Sequence, residues 1–78
     1  MAHYTVVHQT RFSEDHGEYH TYGLVAKQMS SDGRHIKAEI GDITTNLTAA
    51  EALAGRFNSG ELSMIHFRDA VEDWLDGL

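Results

Sequence analysis

A chain of 78 residues has room for one domain, read here as residues 1–78. Without a single Cys, it has no disulfide or thiolate–metal site to staple it. Twelve acids against six Lys and Arg leave a formal charge of −6, which argues against a general nucleic-acid binder, and the absence of Pro and of low-complexity runs argues against a disordered tail.

A core this small supplies about 3–5 kcal/mol without staples, so caps, tight hairpins or a second copy of the chain must help. No stretch approaches the roughly 18 apolar residues of a membrane span. The N-terminal Met-Ala-His-Tyr-Thr lacks the basic and apolar regions of a signal peptide. With no Cys either, cytoplasmic residence without a membrane contact is the expectation.

Residues 3–12 read as a strand through Tyr4, Thr5, Val6, Val7, Thr10 and Phe12, types that suit a pleated surface. Ser13 to Gly17 forms a turn. Residues 18–29 give a second strand, in which Gly23 marks a bulge or a close cross-strand contact. Ser31-Asp32-Gly33 then predicts a hairpin, with Asp-Gly suited to a type I′ turn. Residues 34–40 form a third strand, with Ile36, Ala38 and Ile40 alternating against His35, Lys37 and Glu39.

The apolar period then lengthens. Thr48 and Glu51 have the spacing of a capping box, which predicts a helix over 49–59 with Ala50, Leu53, Ala54 and Phe57 on one face. Gly60 is placed to end it in the left-handed conformation. Ser63 reads as the next N-cap, with Leu62 and Phe67 as a hydrophobic staple. A second helix over 64–76 buries Phe67, Ala70, Val71, Trp74, Leu75 and Leu78. The order β-β-β-α-α predicts an α+β fold, a three-stranded antiparallel meander with two helices on one face.

Tyr19-x-x-Tyr22-Gly23-Leu24, Gly41-Asp42-Ile43-Thr44-Thr45 and the run from Leu62 to Leu75 together resemble a family of small uncharacterised proteins from Firmicutes bacteria. That family carries a Tyr-x-x-Tyr-Gly strand, an Asp-Ile-Ser/Thr-Thr segment and a Leu-Ser-Pro-Ile-His-Leu-Arg-Asp-Val-Val-Glu-Asp-Phe-Leu helix. Met64 stands here where the family has Pro, and Phe67, Ala70 and Trp74 replace other apolar residues. The resemblance implies a compact bacterial domain and assigns no activity.

Four features are candidates for function. Asp69, Glu72, Asp73 and Asp76 fall within about 100° of helical arc, opposite the apolar stripe. Two like-charge i,i+4 pairs and the negative end of the helix dipole oppose this arrangement. Its plain reading is a solubilising face; its functional reading is a docking surface for a basic protein partner.

The sheet is the second feature. Val6, Val25, Met29, Ile36 and Ile40 on the helix face would leave Val7, Tyr22 and Leu24 outside, with Tyr22 and Leu24 as an apolar anchor. A shifted register exchanges the two sets. Residues 3–11 or 34–40 offer sheet edges for a homodimer.

The third is a set of six His: His3, His8, His16, His20, His35 and His66. No helical His-x-x-x-His accompanies them, and the expected parity of His8 and His20 sets them on opposite faces, so no metal site and no cofactor is assigned. The fourth, Ser63 with His66 and Asp69, is not a triad, because one helix cannot aim all three side chains at a point. No catalytic residue is assigned and the chain reads as a non-enzyme.

The reading is therefore a non-catalytic acidic interaction module, with Asp69, Glu72, Asp73, Asp76, Tyr22 and Leu24 as its contact residues. One alternative is a nucleic-acid mimic of the anti-CRISPR kind, its carboxylates standing in for phosphates. The other is a metal- or small-ligand-binding protein using the His-rich hairpin.

Overall fold

A computed structural model describes residues 1–77. It contains strands β1 (His3–Ser13), β2 (Gly17–Met29) and β3 (His35–Thr44), helix α1 (Leu47–Ser59), a 3₁₀ turn (Met64–His66) and helix α2 (Phe67–Asp76). The strands form one antiparallel sheet in the order β1-β2-β3. This is the expected α+β arrangement, three strands followed by two helices.

Both turns are a residue longer than an Asp-Gly hairpin needs. Ser13 pairs with Gly17 across a three-residue loop, and Gly17 has φ 71°. In the second hairpin the Gly33 N–H donates to Ser30 O at 3.0 Å and the Ser30 N–H to Arg34 O at 2.7 Å. Gly33 has φ 85° while Asp32 keeps a negative φ, so the connection is not the expected type I′ turn. It is a three-residue loop ending in a left-handed glycine.

That extra residue decides which side chains share a face. An odd loop pairs even-numbered residues with even-numbered ones, as in Val6 with Leu24 and Leu24 with Ile40. Directly paired residues project to the same side. The core therefore combines Tyr4, Leu24 and Ala26 with Val6, Ala38 and Ile40, and draws on Ala2 and Ile43 as well. Neither expected set holds intact. Met29, expected inside, is 58% exposed and Ile36 is 45% exposed.

β3 continues four residues past its expected end. Between Leu24–Ile40 and Tyr22–Thr44 the register slips, with Asp42 at φ 53° in the protruding segment. Gly23 lies against this bulge: a Cβ there would collide with Ile40 O and sit 2.7 Å from Gly41 Cα. Only glycine lets the two backbones approach this closely.

Tyr4 anchors the helical layer. Its ring meets Phe57 and Phe67 edge-on at centroid distances of 5.4 and 5.2 Å, and its hydroxyl donates to Leu62 O at 2.7 Å. Burial pushes its pKa above the ordinary tyrosine value. Asn58 of α1 accepts from the Tyr4 N–H at 2.8 Å and donates to Tyr4 O at 2.9 Å. One side-chain amide thus closes the β1 edge at this residue.

The helix ends differ from expectation in detail. Asn46, not Thr48, caps α1, its Oδ1 accepting from the Ala49 N–H at 3.1 Å. Asn46 is extended while Thr48 already lies inside the helix, so the capping box does not form. At the other end Gly60 has φ −84° and the left-handed residue is Glu61, φ 52°. Leu62 N–H reaches Phe57 O and Glu61 N–H reaches Asn58 O, the two bonds of a Schellman ending. Ser63 makes no side-chain cap, since the chain enters α2 through the 3₁₀ turn. Phe67 and Val71 are buried, whereas Leu75 is 40% exposed. Leu78 lies outside the described residues.

Candidate functional site

The first candidate site is the outer face of α2. Phe67 and Val71 turn one side into the core, and the helical period turns Asp69, Glu72, Asp73 and Asp76 outward. All four are exposed. Among the described residues none of them forms an ion pair, the one salt bridge being Arg34–Asp32 in the second turn. The negative ridge therefore faces solvent, and among the described residues no Lys or Arg lies within ion-pair distance of it.

Beside the ridge runs a cleft of about 460 Å³ between the helices, lined by Leu53, Arg56, Phe57, Ala70, Asp73, Trp74 and Gly77. Asp73 belongs to both ridge and cleft. Trp74 is half-buried there. The cleft thus sets apolar surface next to the carboxylates.

The expected sheet anchor is not available. Leu24 is fully buried beneath the helices, because its even-numbered partners Val6 and Ile40 bring it to the core face. Tyr22 is half-buried on the same face as Leu24. It pairs with His8, the rings 5.3 Å apart, on the half of the hairpin leading to the Ser13–Gly17 turn. On the opposite face Val25, flanked in register by Thr5 and Glu39, is only 4% exposed.

The loop length also corrects the expectation for His8 and His20. They share a face, with His8 Nε2 and His20 Nδ1 2.8 Å apart and the stacked rings 23° from parallel. One ring nitrogen donates and the other accepts. Among the described residues no third His, Cys, Asp or Glu joins them to make a metal cluster.

Beside the bulge, Thr21 Oγ1 lies 2.8 Å from Asp42 Oδ1 and 3.1 Å from Thr44 O, while Gln9 Oε1 accepts from the Asp42 N–H at 3.0 Å. These contacts satisfy the irregular backbone. Ser63, His66 and Asp69 are exposed and share no side-chain hydrogen bond among the described residues; the His66 N–H donates to Ser63 O at 2.9 Å, and Ser63 lies ahead of the 3₁₀ turn. They form no triad.

Fold and surface together define a small α+β domain with an acidic helical face. The chain belongs to a family of unknown function, DUF6514, whose model matches residues 1–77. No curated protein and no solved structure matches it. Among the described residues no helix is long and apolar enough to cross a membrane.

Proposed function

We propose that this protein is a non-catalytic interaction module that docks a basic protein surface through Asp69, Glu72, Asp73 and Asp76. The observation that carries this reading is the ridge itself: four carboxylates exposed along α2, none in an ion pair among the described residues. Such a surface accelerates encounter with a cationic partner and loses its effect as salt rises. The apolar contact comes from the cleft beside Asp73 rather than from Leu24. Bacterial origin, cytoplasmic residence and the absence of enzymatic activity belong to the same reading.

The test is capture from the native host with wild-type protein and with D69K/E72K/D73K, matched for helix content by circular dichroism. A basic protein held by the wild type, released by salt and lost on charge reversal supports the proposal. Equal retention by both forms overturns it. Should the captured protein bind nucleic acid, competition with its DNA or RNA tests the mimic version, in which the carboxylates occupy phosphate positions.

The contact between His8 and His20 favours a second reading, a weak site for an imidazole-binding cation such as Zn(II) or Cu(II). Titration calorimetry with each ion, on wild type and H8A/H20A, decides it. Both are made in a His3→Ala background, since a His at the third position can chelate Cu(II) together with the terminal amine.

A further inference from the structure

We propose that β3 pairs with β3 of a second copy of this chain, antiparallel and centred on Ala38, to make one six-stranded sheet. This inference stands apart from the acidic ridge and does not depend on it.

The two edges of the sheet are treated differently. On β1, Tyr4 turns its N–H and C=O outward, and the Asn58 amide takes both. β3 is the other edge. Antiparallel pairs alternate between those that exchange hydrogen bonds and those whose backbone groups point away. The Ser30–Arg34 bond sets the phase at the turn. Counting along the register from it, Ile36, Ala38 and Ile40 bond inward to β2, while His35, Lys37 and Glu39 turn their N–H and C=O outward. The Tyr4–Asn58 bonds give the same phase independently, because Tyr4 faces Ala26 and Ala26 faces Ala38. Among the described residues no side chain takes up the outward groups of Lys37 and Glu39.

Charge then selects the register. Outward groups meet only when odd-numbered residues face odd-numbered ones. Centring the pair on Lys37 sets Lys against Lys, and centring it on Glu39 sets Glu against Glu. Centring it on Ala38 sets Lys37 of each copy against Glu39 of the other, twice, with reciprocal backbone bonds at both pairs. The same register faces Ile36, 45% exposed, with Ile40 of the second copy on the helix side. The Ser30–Arg34 turn and the bulge beginning at Gly41 bound the pairable segment at both ends. A two-fold axis through Ala38 makes the contact self-complementary and closed.

The test is sedimentation of the full chain over a concentration series, with K37E, E39K and the swap K37E/E39K. Each single change creates two like-charge pairs and is expected to weaken the dimer about tenfold or more. The swap restores opposite charges and is expected to return it to within about threefold of wild type. K37P removes an outward N–H that no strand in the chain uses, and is expected to abolish pairing while circular dichroism reports an intact sheet. A monomer at every concentration overturns the proposal. So does a dimer indifferent to the single changes or to K37P, or one that the swap fails to restore.

Discussion

Replacing Asn58 by Ala tests whether the side-chain amide, rather than apolar packing alone, fastens α1 to the sheet. The amide makes two hydrogen bonds with the Tyr4 backbone, at 2.8 and 2.9 Å. Its removal leaves one N–H and one C=O at a buried residue without a protein partner. Each orphaned group costs about 1–3 kcal/mol, the lower end applying where water reaches it. Alanine returns roughly 0.6 kcal/mol through its better helix propensity. The expected net loss is about 2 kcal/mol, or a fall in melting temperature of roughly 10 °C for a domain of this size. Urea denaturation followed by circular dichroism measures it. Asn58→Asp sharpens the test: a carboxylate still accepts from the Tyr4 N–H but repels Tyr4 O, so N58D recovers stability when acid protonates it. If N58A unfolds within about 0.5 kcal/mol of wild type, the edge closure is structurally idle and the argument fails.

Three further outcomes follow from the same structure. Gly23→Ala drives a Cβ into the Ile40 carbonyl and is expected to cost roughly 3 kcal/mol, with chemical-shift changes centred on the bulge. Glu61→Gly relieves a left-handed non-glycine residue and is expected to stabilise by about 1 kcal/mol in the same urea assay. Two groups shape the pH dependence. Ser30 Oγ and the Arg34 N–H hold the Asp32 carboxyl below its usual range, so its contribution is present above the unfolded carboxylate pKa and is lost as pH falls through the folded one. Burial raises Tyr4, so its contribution is complete below the unfolded tyrosine pKa and is lost as pH rises through the folded one. D32N should flatten the acid limb and Y4F the alkaline limb of a stability profile; an unchanged limb in either variant refutes that assignment.

Element order and type were legible in the sequence, because strand alternation and the helical period of Leu53, Phe57, Phe67 and Val71 are strong local signals. Gly23 was legible too, as a glycine interrupting an otherwise β-forming run. Which side chains share a face was not, because that depends on loop length. A single residue more in each turn moved Leu24 into the core and brought His8 beside His20. The Asn46 cap competed with a well-spaced Thr48–Glu51 pair, and tertiary context decided between them. Asn58 gave no local signal, since its partner Tyr4 lies 54 residues away. The acidic face of α2 was read correctly as solvent-facing, because amphipathic periodicity reports orientation directly.

Tyr4 has a consequence for how the chain is made. Its covers, Phe57, Asn58, Leu62 and Phe67, all come from the final third of the sequence. During synthesis the meander therefore leaves the ribosome with its apolar side bare; it stays bare until α1 emerges and is not fully covered until Phe67 follows. Contacts of such long sequence separation slow folding and join the two chain ends in one cooperative event. A product cut short before Phe67 would retain all three strands, yet lack part of the lid that keeps them from sticking to one another.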